Sequence, residues 1–153
     1  MFLETENLSF MQAKLPIHLD EMEELIAKNH EETGVYDLPF NPDRERYLGL
    51  WNSGDLAFFT VHHTKTLKLV GFALFFLDNE IQQKDVKSAT QSLNFIEKEY
   101  RGAGYTFMKF CDDILKKQGV NSIWRQTSAK FDIGKIYERM GYELVEKSYL
   151  RRL

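Results

Sequence analysis

The chain predicts a mixed α/β fold: one sheet with helices on both faces. Three observations carry this. Strand-like and helix-like periodicities alternate along the 153 residues. The stretch 69–77 is almost continuously apolar around Gly71, as in a central strand covered on both faces. And a glycine pair, Gly102 and Gly104, sits between an apolar run, Leu93-Asn94-Phe95-Ile96, and a helical pattern, so the chain there reads strand, tight turn, helix.

In order, residues 8–13 predict the first strand. Leu19, Met22, Leu25 and Ile26 then follow helical spacing, with Asp20 and Glu23 as a capping pair, and this helix runs to about His30. Residues 31–40, with Gly34 and Pro39, predict an ordered loop. Asn41 as cap and Pro42 in the first turn open a second helix, whose apolar side is Tyr47, Leu48 and Trp51. Asn52-Ser53-Gly54-Asp55 stops it. Residues 56–61 and 69–77 predict an antiparallel pair joined through 62–65. A polar surface loop over 78–87 leads to a fourth strand over 89–96. The helix after the glycines carries Phe107, Phe110, Cys111, Ile114 and Leu115 on one face and ends at Gly119. Residues 120–126 predict a fifth strand, parallel to the fourth because a crossover helix joins them. A helix over 131–140, with Ile133, Ile136, Tyr137 and Met140 on one side, ends at Gly141. One last strand, or two short ones, is expected over 142–150. The order is β-α-α-β-β-β-α-β-α-β in a single domain spanning 1–153.

Composition narrows the function classes. Hydrophobic residues make up 43% and charged residues 28%, as in an ordinary globular chain. No apolar run approaches the ~20 residues of a membrane span, and Glu4 and Glu6 without a basic start argue against a signal peptide. Cys111 is the sole cysteine, which excludes an internal disulfide and suits a cytoplasmic location. His18, His30, His62 and His63 lack metal-ligand spacing, so no metal is expected. The net charge of −3 argues against a nucleic-acid partner. Acidic residues crowd 20–45, and basic ones follow Tyr100. Solvated helix faces are the simplest account of that asymmetry, although a basic half for an anionic ligand and an acidic half for an amine would also fit. Phe58, Phe59, Phe72, Phe75 and Phe76 are core residues by their strand setting.

The glycine turn is the candidate ligand site. It aims backbone N–H groups and a helix N-terminus at one spot, an arrangement suited to phosphate. Gly102 and Gly104 permit φ > 0 and close approach of a ligand, and Arg101 supplies a charged fork. The P-loop pattern G-x-x-x-x-G-K-[ST] is absent. The dinucleotide pattern G-x-G-x-x-G fails at Phe107. Arg101-Gly102-Ala103-Gly104-Tyr105-Thr106 instead resembles the acyl-CoA pyrophosphate loop of the GNAT N-acetyltransferases, R/Q-x-x-G-x-G/A. The lead-in Glu99-Tyr100-Arg101-Gly102 is like that family's EYRG; Thr106 departs from its usual small residue. Further on, Ile136-Tyr137-Glu138-Arg139-Met140-Gly141-Tyr142-Glu143 resembles a second signature, LYEKLGF. The two occur in the family's order with one strand between them. Leu15-Pro16-Ile17-His18-Leu19-Asp20, and Asn41-Pro42-Asp43 with Tyr47-Leu48, also look like GNAT-like proteins of phage genomes.

The resemblance implies a mostly antiparallel sheet with its fourth and fifth strands parallel, and acetyl-CoA as co-substrate without a metal. It places Phe95, Ile96, Arg101, Gly102, Ala103, Gly104, Tyr105 and Thr106 at the acetyl-CoA. It implies a bulge that splays the fourth strand from the fifth, a strand N–H that steadies an oxyanion, and Tyr137 as the acid that protonates the leaving thiolate. Many members carry a carboxylate base on the fourth strand; here Gln91, Ser92, Leu93 and Asn94 offer none. Asp85 and Glu97 lie near the strand's two ends. Ser92 or Asn94 could hold a water that relays the proton to Glu31 or Glu32. The acceptor, a small amine or a protein lysine, would be held by Glu31, Glu32 and Tyr36. The competing reading is an inactive GNAT-fold module that binds acyl-CoA or a protein. A toxin acting on charged tRNA is disfavoured by the acidic balance. GNAT-like proteins often dimerise, so a homodimer is a further expectation.

Overall fold

The computed structural model describes residues 1–34 and 38–153. Six strands form one sheet in chain order: β1 Phe2–Glu4, β2 Leu8–Gln12, β3 Leu56–His63, β4 Leu69–Glu80, β5 Gln83–Ile96 and β6 Ser122–Trp124. All neighbours are antiparallel except β5 and β6, which are parallel. Among the described residues four α-helices accompany it: α1 Leu15–Thr33, α2 Arg44–Ser53, α3 Gly104–Lys117 and α4 Gly134–Arg139. The predicted fold class is therefore the observed one, including the parallel pair joined through α3.

The sheet separates two cores. On one face Phe10, Phe59, Val61 and Phe75 pack under Phe107, Phe110, Ile114 and Leu115 of α3. On the other, Phe58, Phe72, Leu74 and Phe95 pack under Leu15, Leu19, Met22, Leu25 and Ile26 of α1, flanked by Tyr47, Leu48 and Trp51 of α2. Strands covered on both faces need no polar alternation, and β3 is buried from Leu56 to His62. α1 crosses the sheet at one end of its strands. Glu21 accepts from the Leu69 N–H, Lys28 reaches Glu97 at 2.7 Å, and Glu32 meets Arg101.

Several boundaries move. α1 begins at Leu15 because Pro16 takes the first turn, where its missing N–H is no loss. Asp20 therefore lies inside the helix, paired with Arg44 at 2.8 Å, rather than capping it. The same helix runs on to Thr33, so Glu31 and Glu32 are helical. The cap of α2 is Asp43, which accepts from the Arg46 N–H at 3.0 Å, and not Asn41. The polar stretch 78–87 is a hairpin continuing β4 into β5 through a two-residue turn at Ile81 and Gln82, with a shift in pairing between Asn79 and Glu80. β1 was not anticipated; it is a short, exposed edge strand. β6 shrinks to three residues and α4 to six. No strand forms over 142–150. The Gly119 stop holds: at φ 84 it lets the Val120 N–H reach back to the Leu115 carbonyl at 3.1 Å.

Candidate functional site

The site begins with a mismatch in strand pairing. Leu74 faces Leu93 and Phe75 faces Gln91, so Ser92 is an extra residue in β5. Such a bulge reverses which face the following side chains take. Before it, Ala89 lies in the α3-side core. After it, Phe95 lies in the α1-side core and Ile96 in the α3-side core. The parallel pairing of β5 with β6 stops at Thr90 opposite Trp124, while β5 continues to Ile96. The two strands part at the bulge. Past Thr90, the backbone N–H groups of β5 that face away from β4 have no strand partner among the described residues.

The open length of β5 leads into the glycine stretch. This stretch is not a tight turn with left-handed glycines. Lys98–Ala103 form a 3-10 helix that runs directly into α3, and Gly104 has φ −58 and ψ −43. Glycine serves another purpose here. A Cβ at Gly102 would have nothing within 4 Å, and one at Gly104 would meet only Ile96 Cδ1 at 4.0 Å. The backbone is bare and open to an approaching group. Among the described residues no side chain caps the N-terminus of α3; the 3-10 segment leads into it, and the Gly104 N–H donates to the Arg101 carbonyl. The residues present fit a phosphate-bearing group. Tyr105 and Thr106 are exposed on the first turn, and Ala103 is half-buried beneath it.

Arg101 stands at the head of the loop. Its Nε donates to the Ile96 carbonyl at 2.9 Å, its guanidinium lies 5.6 Å from the Phe95 ring centroid, and one of its NH2 groups reaches both Glu32 oxygens at 2.9 and 2.7 Å. Two residues expected at opposite partners, the acetyl-CoA and the amine, are thus joined to each other. Glu31, one position earlier, is exposed on the last turn of α1. Tyr36 lies outside the described residues. Ser92 is half-buried in the bulge, and Asn94 Oδ1 is buried without a hydrogen-bond partner among the described residues.

Tyr137 is buried on α4, and its hydroxyl donates to the Gln126 carbonyl at 2.9 Å. Burial raises its pKa; the nearby Arg125 charge and a hydrogen bond with Gln91 only partly offset this. The phenol is protonated at neutral pH, the form a proton donor needs. Beside it lies a group that sequence reasoning missed. The Arg125 side chain is 1% exposed. It donates to Gln91 next to the bulge, to Tyr142 Oη at 2.9 Å, to the Met108 carbonyl at 3.3 Å and to Asp112 at 2.6 Å. Tyr142 in turn donates to the other Asp112 oxygen at 2.7 Å. Burial opposes the Arg125 charge, but Asp112 and Tyr142 outweigh it and hold the guanidinium ionised. The guanidinium also lies over the rings of Phe75, Tyr137 and Tyr142. One cation therefore ties together β5, α3 and α4, the three elements that frame the split. Nothing local marks it in the sequence, where Arg125 is one polar residue after a short strand.

Comparison with known proteins agrees with this geometry at the level of fold. No protein-family model matches the chain, and no curated protein matches it. Solved structures do. An acetyltransferase of Trypanosoma brucei superposes with a TM-score of 0.72 at 17% identity, over 96% of this chain and 100% of the other. The glucosamine-6-phosphate N-acetyltransferase of Arabidopsis thaliana gives 0.73 at 13% identity, over 96% and 99%. The ribosomal-protein-alanine N-acetyltransferase of Brucella melitensis gives 0.69 at 15%, over 95% and 99%. The chain has the GNAT fold that its two motifs resemble.

Proposed function

We propose that this chain is an N-acetyltransferase that uses acetyl-CoA and transfers the acetyl group to a primary amine by direct attack. The observation that carries the reading is the continuity of the site. The split strand β5, opened by the Ser92 bulge, runs without interruption into a bare glycine stretch at an uncapped helix N-terminus. Acetyl-CoA supplies an activated acyl carbon on a thiol leaving group. Everything else falls to the chain. Gly102, Ala103, Gly104, Tyr105 and Thr106 offer backbone and a helix terminus to the pyrophosphate, with Arg101 adding charge. The unpaired N–H groups of β5 beyond Thr90 face the place where negative charge develops on the acyl oxygen. The amine nitrogen forms the new C–N bond as the C–S bond breaks.

Two protons must move. Tyr137 gives its hydroxyl proton to the departing sulfur; until then the hydroxyl donates to the Gln126 carbonyl. The amine sheds its own proton, and no carboxylate stands between Gln91 and Asn94 to take it. Asn94 Oδ1, buried and unpartnered among the described residues, is placed to accept from the amine or from a water that carries the proton out. Glu32 faces the loop from α1, but Arg101 occupies both its oxygens. That pairing is the one observation favouring the second reading, a module that binds acetyl-CoA without turnover.

Calorimetry with acetyl-CoA tests the proposal. Micromolar affinity is expected, weakened tenfold or more in Arg101→Ala, because a charge-assisted hydrogen bond contributes about 1.5–3 kcal/mol. The fold should hardly notice that change, since the Arg101–Glu32 pair is partly exposed and such pairs contribute about 0–1 kcal/mol. No binding at millimolar acetyl-CoA would end the reading. Tyr137→Phe separates binding from chemistry. It should leave affinity intact and slow transfer about a hundredfold or more, the usual contribution of a positioned acid. If the unaltered protein binds acetyl-CoA yet acetylates no amine in a broad panel, the binding-module reading replaces this one.

A further inference from the structure

A phenol that gives up its proton needs something to answer the charge it keeps. At rest the Tyr137 hydroxyl donates to the Gln126 carbonyl at 2.9 Å. That bond favours the neutral phenol, and after proton loss the two oxygens repel. A donor aimed at the same oxygen has the opposite effect, because a hydrogen bond to a charged acceptor is the stronger one. Among the described residues, the charged and titratable groups that face Tyr137 come from three elements. Arg125, just past β6, has its guanidinium 6.0 Å from the ring centroid. Asp112 on α3 is held by Arg125 and by Tyr142. Tyr142, past the end of α4, has its ring centroid 5.8 Å from that of Tyr137. The neutral member of the group is Gln91 of β5.

Gln91 stands where the site opens. It is 8% exposed, pairs with Phe75 immediately before the bulge, and follows Thr90, where the pairing with β6 ends. Its Oε1 accepts from Arg125. A guanidinium has donors and no acceptor, so it takes the amide oxygen and turns the amide nitrogen away from itself. Gln91 also bonds the Tyr137 hydroxyl through its side chain, in the sense that favours the phenolate. Of the two ends of the amide, only the N–H acts in that sense. We propose that Arg125 fixes the Gln91 amide with its N–H toward the Tyr137 oxygen, and that both are positioning residues that stabilise the phenolate formed when Tyr137 gives up its proton. The proton's destination rests on the transferase reading. As the C–S bond breaks, the electron pair goes to sulfur and the Tyr137 proton follows it, giving the free thiol. The charge left on the Tyr137 oxygen then lies against the Gln91 N–H and near the Arg125 cation. The proton shed by the amine, returned through solvent, restores the phenol.

The state of this oxygen can be read without acetyl-CoA. Difluorotyrosine in place of Tyr137 has a more acidic phenol than tyrosine and carries the chain's only fluorine atoms, so its fluorine NMR shift against pH reports one group. Gln91→Leu removes the donor. Gln91→Glu also removes it, adds a negative charge, and keeps an acceptor for the buried Arg125, so a folding defect in the first variant does not decide the matter. The ionisation midpoint should rise by about one to two pH units in Gln91→Leu, the effect of one charge-assisted hydrogen bond, and further in Gln91→Glu. With acetyl-CoA and an amine that the panel shows to be acetylated, Gln91→Leu should lower kcat about tenfold or more and leave the KM for acetyl-CoA unchanged. In the Tyr137→Phe chain the same change should lower kcat no further. A midpoint that both variants leave in place would overturn the proposal. So would an equal loss of kcat with and without the Tyr137 hydroxyl, the mark of a residue that only holds the fold. No transfer by the unaltered chain would end the transferase reading, while the fluorine titration still decides whether Gln91 and Arg125 stabilise the phenolate.

Discussion

Arg125→Ala is expected to lower the free energy of unfolding by about 3–5 kcal/mol, the usual result of removing one partner from a buried ion pair. The cost is not the pair itself. Taking a guanidinium out of water is expensive, and much of the gain from Asp112 offsets that expense. Removal is different because it strands the partners. Asp112 keeps a charge with only the Tyr142 hydroxyl to answer it among the described residues, Gln91 loses its donor, and the Met108 carbonyl loses a hydrogen bond. Three rings lose the cation beside them. Arg125→Lys should recover less than half of the loss. An ammonium cannot reach Gln91, Tyr142, Met108 and Asp112 together, whereas the planar guanidinium with its five donors does. Urea denaturation of both variants, with Asp112→Asn and the Arg125→Ala/Asp112→Asn double variant, closes a cycle. The double variant should be more stable than Arg125→Ala alone, since it carries no orphaned carboxylate. A loss below 1 kcal/mol for Arg125→Ala would show that water reaches this cluster freely.

The contrast between Arg125 and Gly102 explains what could be read in advance. Apolar periodicity reports which face of an element is buried, and it placed α3, β3, β4 and the end of β5 because their cores are large and continuous. Glycine spacing marked the open backbone, although the stretch is a 3-10 helix and not the tight turn expected. The elements that shrank, β6 and α4, are held chiefly by side chains far apart in the chain, such as Arg125 to Asp112 and Gln91. A buried polar node of that kind has no local signature. Gln91, Asp112, Arg125 and Tyr142 look like four unrelated polar residues until the sheet splits and α4 closes on it. The β4–β5 hairpin was missed for the opposite reason. Its outer half is largely solvated, so its sequence reads as a loop although β4 and β5 stay paired there, with one shift in register between Asn79 and Glu80. Arg101 is visible in the sequence as a charge beside the glycines, but its pairing with Glu32 depends on how far α1 runs, and that boundary has no local mark.

Gly102→Ala and Gly104→Ala should each stabilise the chain and weaken its hold on acetyl-CoA, two effects that normally move together. Both glycines have negative φ, and Gly104 lies in the helical region, so alanine adopts their conformation without strain. The added methyl meets nothing at Gly102 and at most Ile96 Cδ1 at Gly104. Restricting the unfolded chain then contributes about 0.4–1 kcal/mol to stability. In folding terms these glycines are a cost, and the structure offers no packing reason for them. A ligand that must reach the backbone is the remaining physical reason. A methyl group there holds a phosphate off the N–H groups and removes at least one charge-assisted hydrogen bond, about 1.5–3 kcal/mol, or a ten- to hundredfold loss of affinity. Thermal melts and calorimetry on the same samples read both effects. A higher melting temperature with a weaker dissociation constant would place the pyrophosphate against this backbone. A higher melting temperature with unchanged affinity would move it elsewhere. A lower melting temperature would mean that the 3-10 segment needs its glycines for its own conformation, and that the open space beside Gly102 closes as the chain moves.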